Sequence, residues 1–160
     1  MALTITHTIL IGDRDDVVSG RLDRSRIWTV MQQKAADPLE FVPMITESKV
    51  VERYDDGFLR EVVFFGRDRV LERIRPREQK NRILFEVIDH PRMDLIFNEL
   101  DVDPEGRFTY TLSTRFNDAF LAEVKDDPEI LESKDQLLLE TAQASARMIG
   151  EKARALAGHA

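Results

Sequence analysis

The chain has 160 residues, with 30 acidic and 23 basic side chains, a formal net charge of −7 and no cysteine. That length is the size of one domain, expected to cover 1–160, and it buries roughly 70% of the unfolded surface without staples. The acidic balance repels phosphate backbones and argues against a nucleic-acid partner. The missing cysteines exclude disulfides, thiolate metal sites and thiol nucleophiles, and fit a reducing, cytoplasmic setting.

Residues 1–12 contain an apolar stretch, but no basic segment precedes it and it is too short to span a bilayer. No other stretch approaches about 20 apolar residues, so membrane insertion is not expected. Within it, residues 3–11 alternate. Leu3, Ile5, Ile9 and Ile11 face one way, with His7 as the one polar member of that side, which predicts a half-buried strand. Residues 22–37 change to helical period through Leu22, Ile27, Trp28, Val30, Met31 and Ala35, with Asp23 as the N-cap. Pro38 and Pro43 end that helix, and a short turn carries Leu39, Phe41 and Val42.

Turn signals at 55–57, 66, 76–81, 90–92 and 103–106 then divide the chain into strands near 47–54, 58–65, 67–75, 81–89, 93–102 and 107–116. Connections this short make an antiparallel meander. Pro128 opens the last element, a helix to about 156 with Ile130, Leu131, Leu137, Leu138, Thr141, Ser145, Met148 and Ile149 at helical spacing. The economical packing is α+β: a curved seven-stranded antiparallel sheet wrapped around the long C-terminal helix, with short helices between strands one and two.

Turn lengths set an expected register. A three-residue loop at Phe65–Gly66–Arg67 places Phe58 opposite Ile74, Arg60 opposite Glu72 and Val62 opposite Val70. A two-residue loop would instead oppose Arg60 to Arg73. A three-residue loop at Asp55–Asp56–Gly57, with Gly57 in the left-handed position, places Glu52 opposite Arg60. The row Glu52–Arg60–Glu72 then continues to Phe85 and Ile96. The next row reads Phe58, Ile74, Ile83, Asn98, Leu112. The concave face is thus expected to be apolar with one charged island. Above it, Ala142, Ala144, Ser145 and Ala146 are small where leucines would fill a core, leaving room for a pocket.

The pieces Trp28, ADPLEFVP (36–43), DGFLREVVF (56–64), LERI (71–74), ILFEV (83–87), Asn98 and FTYTLSTRF (108–116) resemble the AtaL-like family. That family lies within the START, polyketide-cyclase and birch-pollen-allergen superfamily of SRPBCC helix-grip proteins. The resemblance covers nearly the whole chain and implies a helix-grip fold with an internal hydrophobic cavity. It implies no reaction and supplies no catalytic residue.

The first functional expectation is a binding protein for a small hydrophobic molecule: a lipid, a polyketide or a related metabolite. Glu52, Arg60, Glu72, Asn98, Phe85 and Ser145 would contact the ligand. The second is a cofactor-independent cyclase, dehydratase or isomerase, in which Glu52 or Glu72 moves a proton and Arg60 stabilises an enolate. A third is an interaction module that uses only its outer face. The charged row itself reads either as an ionic network holding register or as a ligand anchor. His7 reads as a satisfied strand histidine or as a proton shuttle at the pocket edge. With only His7, His90 and His159, and no HxxxH or HxH spacing, neither a metal site nor a cofactor is expected. Most of Arg67, Arg69, Arg73, Arg75, Arg77, Lys80 and Arg82 point outward, as a solvated face or toward an anionic partner. Leu59, Leu84 and Phe97, with Leu71 and Leu95 beside them, form an outer stripe that is either ordinary exposure or a homodimer contact.

Overall fold

The computed structural model describes residues 3–158, so His159 lies outside the described residues. Strand β1 (Leu3–Leu10) leads through helix α1 (Arg14–Val18) and helix α2 (Arg24–Ala36) to a six-strand meander. Its strands are β2 (Ile45–Tyr54), β3 (Gly57–Phe64), β4 (Asp68–Arg77), β5 (Arg82–Ile88), β6 (Met93–Val102) and β7 (Phe108–Phe116). Helices α3 (Asp118–Asp126) and α4 (Glu129–Ala157) follow. All pairs are antiparallel, in the order β1-β7-β6-β5-β4-β3-β2, which makes the helix-grip sheet.

Local chemistry sets the helix ends. Asp13 and Asp16 form a reciprocal capping box at α1, and Asp23 accepts from the Arg26 backbone N–H at 2.8 Å to start α2. Helix α4 buries Leu138, Thr141, Ala142, Ser145, Ala146, Ile149, Gly150 and Ala153, a stripe at three- and four-residue spacing, against β1, β7 and α2. Helix α3 is an addition to the elements expected from sequence. Asn117 caps it through the Phe120 backbone N–H, and the Phe120 ring stacks on Phe116 with centroids 4.3 Å apart. Among the described residues, no helix is long and apolar enough to cross a membrane.

The register agrees with expectation between β3 and β4, where Phe58 faces Ile74, Arg60 faces Glu72 and Val62 faces Val70. It departs in two places. The first hairpin turns on Asp55 and Asp56 alone, with Tyr54 opposite Gly57, and a bulge between Val50 and Glu52 re-registers the strand. Val50 therefore faces Arg60, and Glu52 faces Leu59 on the outer surface. Gly57 is a strand residue, not a left-handed turn residue. Its φ is 150°, and an added Cβ would come within 1.9 Å of the Ile74 carbonyl oxygen, so only glycine admits the close approach of β4.

The second departure is a slip of two residues between β4 and β5, so that Glu72 faces Val87 and Ile74 faces Phe85. Strand β4 runs on through Pro76, opposite Ile83. Pro76 is tolerated because β3 has already ended beside it, so its missing N–H interrupts no ladder. The remaining rows stand as read, with Phe85 beside Ile96 and with Ile83, Asn98 and Leu112 in line.

Candidate functional site

A cavity of about 180 Å3 lies between the concave face and the helices. Phe85, Ile96, Leu112, Phe116 and Leu138 give it an apolar wall. One end reaches the surface at Asp68, Arg92 and Phe65, which are exposed, with His90 and Lys134 beside them. The lining also carries a buried polar group, built from four elements.

Arg60 on β3 is 4% exposed and Glu72 on β4 is 1% exposed. Arg60 Nη2 donates to Glu72 Oε1 at 2.7 Å, and Arg60 Nη1 donates to the Ala35 carbonyl at 2.8 Å. That carbonyl belongs to the last turn of α2, where main-chain acceptors lack helical partners and a cation is favoured. Arg60 thus ties the end of α2 to the sheet while neutralising Glu72.

Lys34, also in the last turn of α2, is the member that sequence reasoning missed. It is buried, and its Nζ donates to Asn98 Oδ1 on β6 at 2.8 Å. The Phe85 and Tyr110 rings flank it, with centroids 5.6 and 5.8 Å away. Burial, and secondarily the Arg60 charge, pushes its pKa down to about 7, while Glu72 pulls the other way. The sequence does carry a signal: Lys34 falls on the same helical face as Ile27, Val30 and Met31, the face that α2 buries.

Three further buried polar atoms belong to residues lining the cavity and have no hydrogen-bond partner among the described residues: Arg60 Nε, Tyr110 Oη and Thr114 Oγ1. Burial pushes the Tyr110 hydroxyl well above the usual phenol range, so it stays protonated; Ser145 acts on it weakly as a hydrogen-bonding neighbour, outside the geometry of a formed bond. Ser145 itself donates to the Phe41 carbonyl at 3.2 Å.

Arg60, Glu72, Asn98, Phe85 and Ser145 are therefore brought together around one cavity. Glu52 is not among them. It is exposed at the first hairpin and accepts from the Tyr54 hydroxyl at 3.0 Å, because the two-residue turn and the bulge move it to the outer face. Of the small residues on α4, Ser145 lines the cavity, as does its neighbour Thr141. Ala142 and Ala146 are buried away from it.

His7 lies outside the cavity lining, 2.7 Å from Asp135 on α4. His90 does reach the open end. Its Nδ1 accepts from the Arg92 and Met93 backbone N–H groups, each at 3.0 Å, which leaves the neutral ring's proton on Nε2. Burial, then Lys134 and Arg92, holds its pKa below the usual imidazole value. Among the described residues, no three His, Asp or Glu side chains are placed to share a metal ion.

Comparison with known proteins places these features in a family. The model of the AtaL family, described as acetylaranotin biosynthesis cluster protein L, matches residues 9–159. No curated protein matches the chain by sequence. Among solved structures, the Zhui aromatase/cyclase from Streptomyces sp. R1128 is similar at TM-score 0.63 and 12% identity, covering 98% of this chain and 96% of that one. The di-domain aromatase/cyclase StfQ of the steffimycin biosynthetic pathway is similar at TM-score 0.68 and 12% identity. There 98% of this chain spans 52% of the other. A Thermus thermophilus protein is similar at TM-score 0.55 and 15% identity over the full length of both chains. At these identities the likeness is one of fold.

Proposed function

The chain belongs to the AtaL family, and from that membership and the chemistry of its cavity we propose that it binds a small, hydrophobic, oxygen-bearing ring or chain of polyketide type. The observation that carries the proposal is the set of buried polar atoms with no hydrogen-bond partner among the described residues, Arg60 Nε, Tyr110 Oη and Thr114 Oγ1, in residues that line the cavity. An unpaired buried donor costs about 1–3 kcal/mol, so a ligand oxygen that meets one recovers affinity. Two of the structural neighbours are named aromatase/cyclases, which agrees with a ligand of this class. The cavity is near the size that holds one aromatic ring, so a longer ligand would extend through the open end past Arg92 and Lys134.

The test is a hydroxyl deletion read two ways. Tyr110→Phe and Thr114→Val remove buried hydroxyls that have no partner among the described residues, so urea unfolding should find each variant as stable as the parent or more so. Binding of 2-naphthol, followed by its fluorescence, should weaken about 10-fold for each 1.4 kcal/mol of lost contact. Loss of stability with unchanged naphthol affinity would make these hydroxyls structural and sink the proposal.

A second reading, a cofactor-independent cyclase, dehydratase or isomerase, is favoured by one specific observation. A lysine held near neutrality stands beside the Arg60–Glu72 pair, so proton donor and acceptor forms coexist at working pH. Glu72 and Lys34 would move the proton, and Arg60 would stabilise the enolate.

The outer stripe has a simpler reading than a dimer contact. Leu59, Leu71, Leu84, Leu95 and Phe97 are only partly exposed, and the Arg82 guanidinium lies 5.2 Å from the Phe97 centroid. An arginine laid over the stripe favours ordinary exposure, so light scattering should find a monomer at high concentration. A dimer that Phe97→Glu dissociates would reverse that reading.

A further inference from the structure

Lys34 does more than the binding reading asks of it. An ammonium offers three donors, yet Nζ has one hydrogen-bond acceptor among the described residues, Asn98 Oδ1. The flanking rings stand near the outer limit of cation–π attraction. The charged groups that face it are Arg60 on β3, which repels the ammonium, and Glu72 on β4, whose charge Arg60 already takes up. A neutral amine, with a free lone pair, suits these surroundings better than an ammonium does, and Lys34 lines the cavity. Arg60, Tyr110 and Thr114, each with a buried polar atom that has no partner among the described residues, line the same cavity.

We propose that Lys34 Nζ is a nucleophile that condenses with one ketone of a β-dicarbonyl ligand in this cavity, while the wall donors hold the second carbonyl oxygen. The proposal deepens the binding reading and rests on it. The nitrogen lone pair forms the C–N bond as the carbonyl π pair moves to oxygen. A proton passes from nitrogen to that oxygen, giving a carbinolamine. The C–O bond then breaks, the hydroxyl leaves with a proton as water, and loss of the proton on the carbon between the carbonyls leaves an enaminone. Nothing is oxidised or reduced. The retained carbonyl conjugates with the nitrogen, so the adduct persists without a trapping reductant.

The probe is pentane-2,4-dione, small enough for a cavity of about 180 Å3. The intact protein should gain the mass of one dione less one water, with a new near-ultraviolet enaminone band. Peptide mapping should place the adduct on Lys34. Near neutral pH its formation should outpace that on the exposed Lys49 by on the order of 100-fold, because the lowered Lys34 pKa leaves much of that amine unprotonated inside the cavity. Lys34→Met should lose the fast adduct. Should that variant not fold, the mapped rates on the parent protein carry the test alone. Lys34 labelling no faster than Lys49 overturns the proposal. If 2-naphthol still binds in that case, the cavity reading survives without the covalent step; if it does not, both fall.

Discussion

Arg60→Met should destabilise the protein by about 3–5 kcal/mol in urea unfolding, whereas Arg60→Met with Glu72→Gln should cost far less or nothing. The difference follows from where the charges sit. Both partners of the 2.7 Å pair are almost fully buried, so removing only the arginine leaves the Glu72 carboxyl group without its guanidinium partner in a poorly solvated place. It also strips a donor from the Ala35 carbonyl at the end of α2. The double variant leaves no charge of the pair to desolvate, and what is lost besides the pair is the helix-end contact and the guanidinium's approach to the Phe85 ring, 5.3 Å from its centroid. Lys34 makes the experiment sharper. With Arg60 gone, Lys34 meets the Glu72 charge without the opposing guanidinium, and it should recover a pKa closer to the ordinary lysine value. The single variant should therefore label more slowly with pentane-2,4-dione at neutral pH, even where it stays folded. Equal stability losses in the single and double variants would mean that Glu72 is not held as a buried charge at all.

The same site explains how far the sequence can be read. Period and turn residues are enough for the strands and the gripped helix, because each strand alternates and each turn is short. The Arg60–Glu72 contact is legible because a three-residue loop at Phe65–Gly66–Arg67 leaves one register that pairs opposite charges. Glu52 departs from its expected row for a reason outside the local pattern. Gly57 is demanded by the Ile74 carbonyl at the far end of the next strand, and the bulge at Val50–Glu52 then shifts the pairing on either side of it. Pro76 reads as a strand stop, though it lies where β4 has no neighbour on one side. Lys34 is hidden because burial of a charged residue is a tertiary fact. Its position on the apolar face of α2 is the only local sign, and a long lysine on such a face can as easily reach solvent.

Between about pH 7 and pH 9.5, stability should rise by roughly 3 kcal/mol more in the parent protein than in Lys34→Met. The sign comes from the direction of the Lys34 shift. Folding pushes its pKa from 10.5 down to about 7, so between those values the unfolded chain holds a proton that the folded chain has released. The unfolded state thus binds more protons in that window, and raising the pH favours folding by up to about 1.4 kcal/mol per pH unit. Below pH 7 both states are protonated, and the folded protein carries the whole burden of a buried ammonium. Above 10.5 both are neutral and the dependence ends. Other groups with lowered values push in the same direction: Asp16, Asp56 and Asp103 in the acid range, His90, whose window lies below pH 7, and Lys134, which overlaps with Lys34. Tyr110, raised by burial, stays protonated throughout. Subtracting the Lys34→Met curve removes Lys134 and every exposed group, since they titrate alike in both proteins. What remains is the cost of keeping an amine in the cavity wall. A cavity that used Lys34 only to meet Asn98 would gain stability from Lys34→Gln at neutral pH, with an amide nitrogen able to donate to Asn98 and no charge to bury. If that variant is both more stable than the parent and equal to it in naphthol binding, neither the Asn98 contact nor ligand affinity accounts for the lysine, and the dione adduct mapped on the parent protein is what assigns a role to its amine.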